Sequence, residues 1–573
     1  MGSYIERMET SFSDGQKERL KRIWEPTVTG VPLSNALRDV CILKDGEIRS
    51  YGFMHKTRDN QGVMAYLSSY DGGVSWNPHY AKGKMHSCTY IEDFDLYISS
   101  VAKEIGLYVY LSKIGPDDEN PEIIKISDKP HGNTFQPVKS VYSHRIWFTA
   151  QRGAEGSEHN PAIFYFSDDC GKTWEEREMP KTPQHRVEYP HKGLRWSRAC
   201  GTEPCAVELS ENTLMMLIRN STDCFYKCFS YDNGDTWTEP SPSHFYGTLT
   251  TPFLLRLRDG RIVAFWNNSR PLPEPDHTKT YPPVSQGVID GYNEDVFTNR
   301  DVAHAAISDD CGKTWKGFRE ILLNPVRNNA DFRYIGGLNG SNDKSVHQFQ
   351  AYELPYGKIL VSLGQNSVSR RILIFDVNRL YETESYEDFF GGLEKLSYHT
   401  YLKSISGSTA YLGNGHCAWN RTNSAYLVPD PAGTMKEVLS VSSHHDERII
   451  NDIGGVSWNF PGTMQGTVEI ELKIYGKGMK FSLADRWYNP CDPYAAEQSQ
   501  FSFEIDETDF SEGFEKLTID YDTELGKATV KYNGKSFEKD MQMPCYTGIS
   551  YLIVQCIANG DSEGCLVRSF GKK

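Results

Sequence analysis

The apolar residues of this chain fall into short alternating runs separated by turn residues. In GTEPCAVELSENTLMMLIRNSTDCFYKCFSYDNGDTW, residues 201–237, two such runs at 206–209 and 214–218 flank a Ser-Glu-Asn turn. A third run at 225–229 leads into Ser230-Tyr231-Asp232-Asn233-Gly234-Asp235-Thr236-Trp237. Alternation of this length predicts half-buried strands. The octapeptide, of form S-x-D-x-G-x-[ST]-W, predicts the turn that follows them. Its Gly supplies a positive φ, its Ser and Asp side chains bind the turn amides, and its Trp packs between neighbouring strands.

The same octapeptide begins at Ser69, Ser167 and Ser308. A hairpin precedes each copy, at 42–51, 140–148, 206–218 and 254–265. Two further hairpins, 88–110 and 350–363, lack the octapeptide, and a strand at 371–377 follows the second. Repeats of three or four short strands close radially, because closure removes exposed sheet edges. The expectation is an all-β chain with a six-bladed β-propeller over 31–400. An N-terminal helical extension, 1–30, precedes it, with a helix over about 15–24 stopped by Pro26. Residues 267–299 are too polar and Pro-rich for a strand and read as a long loop over one face.

Beyond 400 the octapeptide stops but alternation continues, at 467–474, 479–483, 500–505, 516–521, 528–532 and 549–556. This predicts a C-terminal antiparallel β-sandwich, jelly-roll or lectin-like, over 401–573. Its aromatics Trp458, Trp487 and Tyr488 read as core side chains, with a sugar platform as the alternative.

Composition narrows the function. The 573 residues carry a net charge of −15, with 48 Gly, 28 Pro and 12% aromatics. The charge excludes nucleic acid and an anionic membrane surface as natural partners. No run of about 18 apolar residues predicts a membrane helix. The 13 cysteines lack metal-like or disulfide-framework spacing, which favours reduced thiols and a cytoplasmic location; a secreted protein with its leader removed is the alternative. The sequons at Asn220, Asn267 and Asn420 then carry no glycan. The run His444-His445-Asp446-Glu447 reads as a solvated turn, since adjacent histidines cannot share one strand face. No phosphate-binding or H-E-x-x-H motif occurs, and neither cofactor nor metal is expected.

Asp-rich octapeptides of this kind on a β repeat resemble those of the sialidase (neuraminidase) superfamily, over roughly residues 31–380. The most specific match is Glu203-Pro204, followed by Val207-Glu208-Leu209 and, sixteen residues after Glu203, by Arg219. The resemblance implies an arginine triad of Arg38, Arg219 and Arg300, and an acid at Asp59 in the loop HKTRDNQG. Three guanidiniums at equivalent blade positions would grip one carboxylate through planar bidentate bonds. A lone arginine is more often half of a weak surface ion pair; three at matched positions favour an anionic sugar. Arg58, Gln136, His86 and Gln348 are further candidates for binding it.

The sequence departs from the family where a Tyr nucleophile is expected. The segment KSVHQFQAYELP puts His347 or Gln348 there, with Tyr334 and Tyr352 as displaced alternatives. The expected activity is therefore exo-cleavage of a carboxylate-bearing sugar, sialic acid-like or uronic acid, from an oligosaccharide by hydrolysis, with β-elimination on a uronic-acid-containing glycan as the alternative. In hydrolysis, Asp59 protonates the leaving oxygen and Glu203 or His347 activates water. In β-elimination, a His base (His347, His55 or His86) removes the proton beside an Arg-neutralised carboxylate. A non-catalytic glycan-binding propeller is the rival from another class. The expected partners are an acidic oligosaccharide and, as an open alternative, further copies of the chain.

Overall fold

The computed structural model describes residues 3–33, 39–55, 62–153, 160–183, 186–187, 193–194, 201–220, 224–247, 250–270, 300–325, 327, 345–365, 368–401, 421–443, 452–505, 507–558 and 563–573. Among them the chain is mostly strand, arranged as a propeller followed by further antiparallel sheets.

The octapeptides fold as their sequence requires. Gly234 N donates to Ser230 Oγ at 2.8 Å, while Thr236 N and Oγ1 donate to Asp232 at 2.8 and 2.5 Å. The same set of bonds surrounds Asp71, Asp169 and Asp310. All four glycines have φ between 78° and 97°, a region closed to most side chains. Trp174, Trp237 and Trp315 return their Nε1 to the carbonyl of their own Gly. Trp76 instead reaches Thr29 Oγ1, on the strand Thr27–Gly30 near the start of the chain.

Five meanders stand as separate sheets. They are built on Val40–Ile42 through Asn77–Tyr80, Thr89–Ile91 through Glu122–Ser127, His131–Thr134 through Glu175–Glu178, Thr202–Ser210 through Ser241–Tyr246, and Gln350–Leu354 through Arg371–Asp376. The last takes Thr27–Gly30 as its outer strand, through Thr27↔Ile374 and Val28↔Leu373. Neighbouring sheets touch in chain order, and Val40 N donates to Gln350 Oε1 at 2.9 Å to join first to last.

The meander Phe253–Arg256, Ile262–Trp266, Val302–Ser308, Lys316–Leu323 is not a separate blade. Gly317 pairs with Gly462, which makes these strands the edge of a nine-stranded sheet. Both partners are glycines, and a Cβ on Gly462 would lie 3.3 Å from the Gly317 carbonyl. Free-standing blades thus number five, where the repeat count predicts six. A local repeat reports a meander, but not whether its outer strand is captured by another sheet.

C-terminal to the ring, two sheets share an apolar core that includes Trp458, Val468, Ile470, Phe481, Leu552 and Phe570. All six expected C-terminal strands form, joined by Ala425–Pro429, Glu437–Ser442, Gly454–Thr463, Lys535–Asp540 and Gly564–Lys572. Ser385–Glu387 pairs with Gly564–Lys572, and Leu396–Ser397 with Gly454–Thr463, so these sheets recruit chain from before residue 400. Trp458, Trp487 and Tyr488 are buried, which removes the sugar-platform alternative. Trp487 packs with Tyr551 and Val302, joining the C-terminal sheets to the ring.

The N-terminal helix lies at Asp14–Arg22, opened by a Ser13/Gln16 capping box, and a second helix, Tyr4–Ser11, precedes it. Met8, Phe12 and Leu20 cover Val40, Ile42, Ile372 and Ile374. Of the long segment 267–299, Asn267, Asn268 and Ser269 are buried and the part from 271 lies outside the described residues, as does 444–447. Asn220 and Asn267, two of the three sequons, are buried, while Asn420 lies outside.

Candidate functional site

The innermost strands all begin near the ring centre, and their first residues or those just before them converge. Glu203 is the second residue of Thr202–Ser210, and Arg219 the last of Thr213–Arg219. The register Thr202↔Arg219 brings them together, so the sixteen-residue spacing is the span of one hairpin. Arg219 Nη1 donates to Glu203 Oε2 at 2.5 Å. Segments of three other meanders supply donors to the same carboxylate: Asn133 Nδ2 at 2.6 Å, Thr251 Oγ1 at 2.5 Å and Gln348 Nε2 at 2.9 Å. Glu203 is 2% exposed and holds φ at +46°, and Gln348 holds +68°. Left-handed backbone at two non-glycine residues facing each other is strain of the kind that collects at functional sites.

Electrostatics follow from that cage. Burial acts to raise the Glu203 carboxyl. The charge of Arg219 and the hydrogen bonds from Thr251 and Gln348, with His347 beyond them, outweigh it and hold the group far below the ordinary carboxylate range. Glu203 is therefore a fixed anion with little proton affinity. Sequence reasoning proposed it as a base for water; the four donors make it a poor one.

His347 is 1% exposed. Arg300 Nη1 and Gln365 Nε2 both donate to its Nε2, at 3.3 and 2.8 Å. Two donors on Nε2 place the proton of the neutral ring on Nδ1 and occupy the Nε2 lone pair. Gln348, not His347, is the partner of Glu203, and its amide cannot act as a nucleophile. Tyr352 does not substitute. Its hydroxyl is tied to Val40 O and Gln136 Oε1 at 2.7 and 2.9 Å, and burial holds it far above its usual range.

The remaining candidates divide. Gln136 bridges Ser87 Oγ, Val40 O and Tyr352 between blades, a structural use of its amide. His86 is not brought to Glu203: it stacks on Tyr51 at 5.1 Å, and its Nε2 meets the Gly83 carbonyl. The backbone of His55 ends the strand Ile48–His55, while its side chain, Arg38, Arg58, Asp59 and Tyr334 lie outside the described residues. Asn133, Thr251 and Gln365 escaped sequence reasoning; only their places just before or after central strands could have flagged them. Asp39, immediately before Val40–Ile42, was also passed over. Its Oδ2 is buried with no hydrogen-bond partner, and burial pushes the carboxyl up to about 8. Among the described residues no group of three or more His, Cys, Asp or Glu could hold a metal.

Residues 119–334 match the BNR repeat-like domain family, across the third blade, Glu203 and Arg300. The similarity is confined to this segment. The match agrees with the repeated octapeptides of the sequence. Three solved structures are similar to the chain at low identity. A protein of unknown function from Dyadobacter fermentans is 16% identical with a TM-score of 0.37, over 62% of this chain and 99% of its own. Trypanosoma rangeli sialidase with 2,3-difluorosialic acid is 11% identical with a TM-score of 0.34, over 96% and 94%. A mutant of NanB sialidase from Streptococcus pneumoniae is 12% identical with a TM-score of 0.36, over 64% and 73%. The assignment rests on the BNR repeat-like match and the repeat, not on these. A search of curated proteins finds no match.

Proposed function

We propose that the chain is a glycan-cleaving enzyme acting at a carboxylate-bearing sugar, with His347 as the base and no tyrosine nucleophile. The observation that carries this is the contact of Arg300 with His347, one buried residue away from the Gln348–Glu203 pair. Arg300 and Arg219 would take the sugar carboxylate, and Glu203 would hold Arg219 and Gln348 in place. As the carboxylate draws Arg300 away and the Gln365 amide turns aside, the His347 lone pair is released. It then removes the proton on the carbon bearing the carboxylate. The electron pair forms the new carbon–carbon double bond, and the glycosidic C–O bond breaks on the other side. The leaving oxygen needs a proton, and Asp39, which immediately precedes Val40–Ile42 and is still protonated at neutral pH, would supply it. We infer, too, that the 253–323 meander completes a six-membered ring and that the C-terminal sheets form a β-sandwich.

Hydrolysis with Asp59 as acid is the second reading, favoured by the retained Glu203–Arg219 pair and the BNR repeat-like domain. Mass spectrometry of products from oligosaccharides that carry a terminal sialic acid or a uronic acid glycosylated on the carbon next to the one bearing the carboxylate separates the two. Products summing to the substrate mass, one with a new unsaturated uronate, establish elimination, and a gain of one water establishes hydrolysis. For elimination, His347→Gln should lower kcat by about 100-fold or more. Absence of turnover on every acidic glycan would leave only a binding propeller.

A further inference from the structure

Between the inner strands, farther along them than Glu203, lies a cavity of about 350 Å³. Thr202–Ser210 lines it with Cys205 and Val207, Phe253–Arg256 with Phe253, and Gln350–Leu354 with Ala351. Phe135 joins them from the third blade, its ring centroid 6.1 Å from that of Phe253. Small side chains at Cys205 and Ala351 leave room between the strands. The cavity opens where these strands turn, at Arg258 and Glu353, beside Tyr4, whose Oη donates to the Glu353 carbonyl at 2.9 Å. Val138 and Val141, 45% and 59% exposed, give that rim an apolar edge.

The polar groups of the lining are mostly engaged. Gln136, Gln350 and Tyr352 bind one another and the Val40 carbonyl. Three rim cations, Lys139, Arg256 and Arg258, are matched in number by Asp93, Glu208 and Glu353, with Lys139 on Asp93 and Arg258 beside Glu353. The rim therefore calls for no charged ligand. Two donors have no partner in the protein, Arg256 Nε and Trp147 Nε1. Arg256 is part-exposed and gives its other nitrogens to Tyr142 Oη and the Leu257 carbonyl. Trp147 is 4% exposed, and its indole N–H is its one polar group. A buried donor left unpaired is costly.

We propose that this cavity is a binding site for an uncharged aromatic molecule whose carbonyl or ether oxygen accepts from Trp147 Nε1. Ligand sites are commonly apolar concavities with a few placed polar groups. An apolar cavity of about 150 Å³ takes benzene, and this one, about twice that size, suits two fused rings. Phe135, Phe253 and Trp147 supply ring faces and edges for them. The site is separate from the chemistry at His347.

Isothermal titration of the full chain with coumarin, which carries a ring carbonyl, and with naphthalene, which has no acceptor, tests it. Coumarin should bind saturably, about fivefold or more tighter than naphthalene. Trp147→Phe should erase that difference by weakening coumarin alone, and Ala351→Leu should weaken both about tenfold by filling the space. Neither probe bears a carboxylate for Arg219 or Arg300. No saturable binding of coumarin leaves water as the acceptor for Trp147 and overturns the proposal, as does coumarin binding that Trp147→Phe leaves unchanged. Trp147→Phe keeps a ring on Phe164, 5.5 Å away in the native pair, so it decides the matter if Ala351→Leu does not fold.

Discussion

Glu203 and Glu320 are removed from water in the same ring, yet they differ in charge. Glu203 has Arg219 against it and hydrogen-bond donors from three other meanders, and its carboxyl lies far below the usual range. Glu320 has one donor, Tyr551 Oη at 2.6 Å, and three arginines at greater reach, and burial carries it to about 7. Burial acts in the same direction on both. What differs is the number of donors aimed at the oxygens, and that number decides which carboxylate stays an anion.

The comparison can be broken most strongly at Arg219. Arg219→Met leaves the Glu203 charge unpaired and should cost about 3–5 kcal/mol in denaturant unfolding, much of it recovered when Glu203→Gln is added. If the single variant matches wild type, the cage does not hold the anion. Next is Glu320→Gln. A raised folded-state pKa gives stability that is complete below about pH 4 and lost as pH rises through about 7. The variant should therefore gain on wild type between pH 5 and pH 8, by up to about 3 kcal/mol, in thermal melts across that range. Thr251→Val removes one donor from an ionised group and should cost about 1.5–3 kcal/mol. Tyr551→Phe removes a donor from a partly neutral one and should cost about 1 kcal/mol, although His304 loses a partner too. Equal costs for the last two would end the distinction drawn between the glutamates.

Much of the ring was legible because its signals are local. The octapeptide states its own turn, and the Glu203-to-Arg219 spacing encodes one hairpin. Asn133, Thr251 and Gln365 were illegible because their role depends on which blades face each other across the centre. His86 was misplaced for the same reason: its position before a central strand looks like that of His347, but its ring turns to Tyr51. The sheet shared through Gly317 and Gly462 could not be read because a glycine in a strand marks close approach without naming the partner. The helix Tyr4–Ser11 was missed because its eight residues are too few for a helical period to stand out.

The strand Thr27–Gly30 completes a sheet whose other members lie beyond residue 350. During synthesis, then, its first residues must wait for more than half the polypeptide to leave the ribosome before they find their place. Until that moment Thr27–Gly30 has no strand to pair with, and the apolar faces of both N-terminal helices have only Val40, Ile42 and Ile48 to cover. Such late, long-range docking is slow and leaves an aggregation-prone interval. A chaperone that shields the emerging N-terminus should raise the yield of folded protein more than one acting on the C-terminal sheets.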